Sequence, residues 1–246
     1  MKLASSLLSI SLALSSNLAN ALENKQELSL PVSGISSLNA TVGAGEFTLV
    51  ASDNLSEIKV EAELVNAENH KPELSLERQG DSAVLIARFE DTASSFGKSP
   101  MIHVTLTMPT TLALELVDGS GNIDIRGLKS DVLIKDGSGN LSLDGGMKVS
   151  IDDGSGNLSV ANIEGKLNIT DGSGDLEVSD AKGDMQIQDG SGNIRITNAG
   201  GKVELTDGSG NIEVNGAAEL VIHDAGSGNV RTSNILSSTD RKQNLQ

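Results

Sequence analysis

Asp118-Gly119-Ser120-Gly121-Asn122-Ile123-Asp124-Ile125 is the first of seven copies of one phrase. The copies begin at Asp118, Asp136, Asp153, Asp171, Asp189, Asp207 and Ala225, at spacings of 18, 17, 18, 18, 18 and 18 residues. A constant period of this length means one small structural unit copied and stacked, because a single unit is too short to bury its own apolar face. Counted from its first Asp, each copy carries apolar residues at positions 6 and 8 and again at 15 and 17. Leu158/Val160 and Leu167/Ile169 are one such set. Each pair alternates with polar neighbours, the signature of a short strand with one buried face.

Two strands and two corners therefore make one coil. Equivalent strands of successive coils stack into parallel sheets, advancing about 4.8 Å per coil. The expected fold is all-β: a single-stranded right-handed parallel β-helix, or β-solenoid, with about 18 residues per coil, its hand following the rule for parallel crossovers. A propeller blade needs about 40 residues, and a sandwich has no reason to repeat its sequence at this period.

The flanks divide the rest. Residues 1–21 read as a secretory signal peptide, with Lys2, the stretch Leu3 to Leu14 and the small-residue site Ala19-Asn20-Ala21, cleaved after Ala21. The apolar run is shorter than the roughly 20 residues that span a bilayer, and no membrane span is expected after cleavage. Residues 22–117 alternate in the same way without a period and are expected to be an irregular, β-rich capping part of the solenoid. Gly43-Ala44-Gly45-Glu46-Phe47-Thr48-Leu49 mimics the repeat, and Leu114 and Leu116 fall where positions 15 and 17 of a preceding coil belong. Val84 and Ile86 are read as a buried face, and Asp91 to Pro100 as an exposed loop. Residues 118–232 hold the seven copies, and 233–246 read as a polar tail.

Composition removes several function classes. No cysteine is present, which excludes disulfides and thiolate chemistry. The formal charge of −16, which becomes −17 once Lys2 leaves with the leader, disfavours nucleic acid and anionic membranes. With no Trp, no Tyr and three Phe, the chain lacks the rings that stack on sugars or anchor protein interfaces.

The corners carry the candidate site residues. Asp118, Asp136, Asp153, Asp171, Asp189 and Asp207 are expected to form a ladder, each accepting N–H bonds from its own turn. A row of calcium sites is the competing reading, but one Asp per coil falls short of the six to eight oxygens that calcium takes. Gly119 and Gly121 and their copies supply backbone conformations unavailable to branched residues, so Gly172→Val is expected to destabilise. Ser120, Ser138, Ser155, Ser173, Ser191, Ser209 and Ser227 stack beside Asn122, Asn140, Asn157, Asp175, Asn193, Asn211 and Asn229, whose side chains are expected to bond from coil to coil. Seven serines without a repeated His partner do not make a nucleophile. His103 and His223 are read as structural; His223 is placed at core position 17, where Leu would stabilise. Ice binding needs a flat row of Thr. The outward position 7 instead reads Asp124, Ser142, Ser159, Glu177, Arg195, Glu213 and Arg231.

The leader, the degenerate β segment and the iterated Asp-Gly-Ser-Gly-Asn-Ile-x-Ile units resemble the bacterial putative-adhesin β-strand-repeat domains of unknown function, relatives of the head domains of putative autotransporter adhesins. The resemblance spans nearly the whole mature chain and implies the fold, with no catalytic or cofactor residues to carry over. This chain is shorter than the larger adhesins and shows no barrel segment. The expected function is a non-enzymatic, exported, adhesin-like interaction or structural module of the bacterial envelope, periplasmic or at the cell surface. Its partner would be an unidentified protein or surface component, with self-association through the coil ends as a further expectation. A periplasmic cation- or ligand-binding protein using the acidic corners is the alternative, and an enzyme acting on envelope polysaccharide a third.

Overall fold

The computed structural model describes residues 24–68, 70–90 and 98–240. The leader, residues 91–97 of the expected exposed loop, and residues 241–246 lie outside them. The described residues form strands and corners and contain no helix; consequently no helix is long and apolar enough to cross a membrane.

Parallel stacked coils of about 18 residues make the β-solenoid. Its regular part starts with β8 (Ala113–Ser120) and β9 (Ile123–Leu128). It continues through β10 (Val132–Asp136), β11 (Leu141–Gly145), β12 (Val149–Asp153), β13 (Leu158–Ala161), β14 (Leu167–Asp171) and β15 (Leu176–Ser179). Then come β16 (Met185–Asp189), β17 (Ile194–Thr197), β18 (Lys202–Asp207), β19 (Ile212–Ala217), β20 (Glu219–Asp224) and β21 (Val230–Ile235). Even-numbered strands pair with even and odd with odd, all parallel, so two sheets face one another across seven turns. Registers join like to like: Leu141↔Leu158↔Leu176↔Ile194 in one sheet, Val149↔Leu167↔Met185↔Val203 in the other. The reason is the period of 2 in each strand, since a one-residue slip would turn a whole aliphatic set outward.

The segment before the repeats uses the same two sheets but not in chain order. It comprises β1 (Lys25–Pro31), β2 (Ser37–Ala44), β3 (Phe47–Ser52), β4 (Glu57–Val65), β5 (Pro72–Gln79), β6 (Ser82–Phe89) and β7 (Met101–Pro109). The coil of β2 and β3 lies directly on that of β8 and β9, with Phe47 opposite Ile123 and Leu38 opposite Leu114. The coil of β6 and β7 then stacks on the far side of β2 and β3. The chain must therefore pass back over one coil between β7 and β8. Thr110, 4% exposed, sits in that passage, donating its hydroxyl to Asp53 Oδ1 at 2.7 Å and accepting the Lys129 backbone N–H at 2.9 Å. Lys129 Nζ closes the clip on Asp53 Oδ2 at 2.8 Å, and this bond holds the Asp53 carboxyl below its usual range.

Beyond this coil the pairing turns antiparallel: β4 on β7, β1 on β4 and β5 on β6. β1 and β5 approach each other, so the two sheets close that end of the stack. The core runs without a break from Ile35 to Ile222.

Four details differ from the expectations. In β6 the buried face is Ala83, Leu85, Ala87 and Phe89, while Val84 and Ile86 point to the half-covered side; both faces of this strand are apolar, so alternation alone gave no phase. The chain enters β20 one residue early relative to the 18-residue count, setting Leu220 against Val203 and Ile222 against Leu205, and a bulge at His223 then restores the register. His223 is thereby exposed on the bulge and occupies no core position, so its replacement by Leu fills nothing. The chain also keeps its fold past Thr232: β21 runs to Ile235, and β22 (Ser238–Asp240) pairs with β20. Pro100, at the end of the expected loop, is buried.

Candidate functional site: the stacked corners

Each Asp-Gly-Ser-Gly-Asn phrase turns the chain from an even strand to the following odd strand. The leading Asp closes the even strand, and its side chain points inward. Asp118, Asp136, Asp153, Asp171, Asp189 and Asp207 are paired in register from coil to coil, and each is at most 6% exposed. In five of them Oδ1 accepts the backbone N–H of the Ser two residues on, from Ser138 on Asp136 at 3.2 Å to Ser209 on Asp207 at 3.0 Å. This is the expected Asx-type turn. Their burial goes beyond that expectation, because an Asx turn does not by itself set whether the carboxyl faces the core.

Burial has an electrostatic consequence. It is the first cause pushing the carboxyls of Asp118 and Asp171 up to about 7 and those of Asp153 and Asp189 up to about 6; neighbouring carboxylates add to it. Asp136 and Asp207 are raised as well, again chiefly by burial.

The Asn positions form the outer rail of the same corner. Asn140 Nδ2 donates to Asn122 Oδ1 at 3.2 Å, Asn193 Nδ2 to Asp175 Oδ1 at 2.9 Å, Asn211 Nδ2 to Asn193 Oδ1 at 3.0 Å and Asn229 Nδ2 to Asn211 Oδ1 at 3.1 Å. Backbone N–H groups join the same rail, with Asn157 N on Asn140 Oδ1 at 3.0 Å and Asp175 N on Asn157 Oδ1 at 3.1 Å. The corner serines stand between the two ladders, and their carbonyls accept from the second Gly of the preceding copy, as in Gly121 N to Ser138 O at 2.9 Å. That glycine passes so near the coil beneath that a Cβ on Gly121 would lie 1.6 Å from Gly45 O.

The opposite corner holds a ladder that the sequence reading missed. Gly127, Gly145, Asn162, Asp180, Asn198, Gly216 and Asn234 all have φ between 55° and 98°, and they recur at the repeat spacing. Only Gly, Asn and Asp occupy the position, because they enter the left-handed region at least cost. That shared residue class every 18 residues was the available signal. The side chains also bond between coils, with Asn198 Nδ2 on Asp180 Oδ1 at 3.0 Å. Asn198→Ala is expected to cost about 1 to 2 kcal/mol through the backbone conformation and the lost bond, read as a shift in urea midpoint.

Chemically, these corners hold the coils together. Among the described residues no histidine bonds a corner serine: His103 Nδ1 accepts the Glu46 N–H at 3.0 Å, and His70 stands edge-on to Phe89 at 6.0 Å. No group of three or more His, Cys, Asp or Glu is placed around a metal position among those residues.

The outer face of the odd-strand sheet differs from coil to coil. Glu177, Arg195, Glu213 and Arg231 stand in register, with Arg195 Nη1 3.0 Å from Glu213 Oε2. Together with Asp175 and the Asn rail they line an open groove of about 500 Å³.

Solved structures with related coordinates include a putative adhesin from Parabacteroides distasonis ATCC 8503, at 16% identity over 87% of this chain and 97% of that one, TM-score 0.42. A putative lipid binding protein from the same organism aligns at 18% identity over 89% and 96%, TM-score 0.43. A putative cell adhesion protein from Clostridium sporogenes ATCC 15579 aligns at 13% identity over 88% and 97%, TM-score 0.34. None of the curated proteins matches this chain. The Toastrack DUF4097 family matches residues 20–244, nearly the full length, and the chain belongs to that family.

Proposed function

We propose that this chain is an exported, non-enzymatic interaction or structural module of the bacterial envelope, adhesin-like in use, that meets its partner through outward strand positions. The division of labour within the repeat carries this reading. Inward and corner positions keep one residue class in coil after coil, whereas outward position 7 runs through Asp124, Ser142, Ser159, Glu177, Arg195, Glu213 and Arg231. A rigid stack that varies only on its outer face is suited to presenting a pattern of charge at fixed intervals. The leader-like residues 1–21 support export, and the corner serines, without a base, support a role other than catalysis.

The test combines location and surface. Protease treatment of intact cells, compared with an osmotic-shock fraction, separates cell surface from periplasm. A charge-swapped variant (Glu177→Lys, Arg195→Glu, Glu213→Lys, Arg231→Glu) should lose retention on isolated envelopes while unfolding at the same temperature as the parent. Undiminished retention would remove the odd-strand face as the recognition surface. The alternative, a cation-binding role for the acidic corners, predicts a melting temperature raised by calcium and lowered by chelator.

A further inference from the structure

The inward Asp ladder leaves an account to close. Oδ2 of Asp136, Asp153, Asp171, Asp189 and Asp207 is buried with no hydrogen-bond partner, and so are both oxygens of Asp118. The facing groups bring no compensating cation. Strands β9, β11, β13, β15, β17 and β19 present aliphatic side chains inward, such as Leu158 and Val160. The charged groups that act on the ladder from neighbouring positions are Asp152 on Asp153, Asp175 on Asp189 and Asp224 on Asp207, all acids. Buried, stacked carboxylates whose Oδ2 meets neither a donor nor a cation cannot all remain ionised, because burial and like charge both disfavour the anion.

We propose that the ladder is a buried proton-holding site, in which the carboxyl of one coil keeps its proton on Oδ2 and donates it to the Oδ2 of the next. The stacking distance of about 4.8 Å lets inward side chains that lean toward each other reach the short contact of an acid–carboxylate pair, about 2.5 to 2.7 Å. Each shared proton serves two oxygens that otherwise have no partner and removes one of two adjacent charges. No covalent bond changes other than the O–H that holds the proton, and a pair carries one negative charge. Because the pairs repeat, the site is a chain of such bonds through the regular coils, and the protons belong to the ladder collectively.

The sign of the pH dependence follows. The folded chain keeps protons that the unfolded chain releases above about pH 4. Stability contributed by the ladder is therefore full below that pH and falls as pH rises through about 6 to 7, where Asp153, Asp189, Asp118 and Asp171 titrate. The solenoid is firmest in a mildly acidic medium and loosens toward alkali, opposite to a protein whose carboxylates sit in salt bridges.

The experiment is urea unfolding of the mature chain followed by circular dichroism at pH 5 and pH 8.5, with chelator throughout and with added calcium in a parallel series. Asp171→Asn puts a permanent N–H donor where the shared proton would be. Glu177→Gln removes the same charge from an exposed position and controls for the general relief of net negative charge. The expected result is a parent midpoint higher at pH 5, an Asp171→Asn midpoint raised at pH 8.5 and little changed at pH 5, and no such difference for Glu177→Gln. Equal displacement of Asp171→Asn and Glu177→Gln at pH 8.5, or an Asp171→Asn chain weakened at both pH values, would overturn the proposal. A parent midpoint raised at pH 8.5 by calcium, with Asp171→Asn insensitive to it, would overturn it in favour of a cation as occupant. Carboxyl carbon NMR gives a second reading: aspartate resonances titrating above pH 5.5 in the folded chain are expected, and their absence counts against shared protons.

Discussion

Gly174→Ala should lower the stability of this solenoid by about 2 to 5 kcal/mol, the sum of a left-handed backbone penalty of about 1 to 2 kcal/mol and overpacking of about 1 to 3 kcal/mol. Gly174 has a φ of 139°, and a Cβ there would stand 1.7 Å from Gly156 O and 2.5 Å from Gly156 C. No side chain can swing away, because the obstacle is the backbone of the coil beneath. Relief requires the two coils to part, which stretches the bonds from Gly156 N to Ser173 O at 2.9 Å and from Leu158 N to Asp175 O at 2.9 Å. Gly80→Ala is the comparison, since its φ of 67° is also positive but nothing lies within 4 Å of the added Cβ. It should cost only the backbone penalty of about 1 to 2 kcal/mol. Equal urea midpoints for the two variants would show that the coils tolerate separation at this corner. Gly172→Val should also destabilise, though for a reason other than the one the sequence supplied. The φ of Gly172 is not in the left-handed region; its Cβ would meet Gly154 O at 2.4 Å. Contact, not conformation, makes that position a glycine.

Phe47→Ala should cost about 3 to 5 kcal/mol, and the loss should be felt across the whole chain. Phe47 is 1% exposed and lies between Val104 on the outer coil and Ile123 on the first repeat coil, so it fills the core at the junction of the irregular and regular parts. Stacked repeats share stability through neighbouring interfaces, and a terminal unit that closes the end supports the rest. One cooperative transition at lower urea is the expected outcome. With no Trp or Tyr in the chain, it is best followed by circular dichroism. Two separate transitions, with the later one at the parent midpoint, would show instead that the repeats fold independently of the segment before them.

Much of the fold was legible because it is periodic. The aliphatic pairs such as Leu167/Ile169 stand where the 18-residue count placed them, and Gly45 and Phe47 stack under Gly121 and Ile123 as their local phrase foretold. Legibility failed where the repeat gives no second copy to compare. The phase of β6 was ambiguous because Val84 and Ile86 are as apolar as Leu85, and a one-residue shortening before β20, made up only by the bulge at His223, moved the last pair by one residue. The corner Asp were identified as turn acceptors, which Oδ1 is. Their burial depends on the direction of a side chain at a strand end, which residue type alone does not specify.

The sequence by itself determined the coil: its length, its two strands, the glycines at its corner and the in-register stacking of like residues, all of which follow from local pattern multiplied by a constant period. Only the tertiary structure decided the order of the first coils, in which β6 and β7 lie outside β2 and β3 and the chain returns past Thr110 to begin the repeats. It also decided that six carboxyls face the interior without donors for Oδ2. Both are matters of long-range placement: which exposed edge a strand meets, and what surrounds a side chain once every coil is stacked, are set by contacts between residues far apart in the chain.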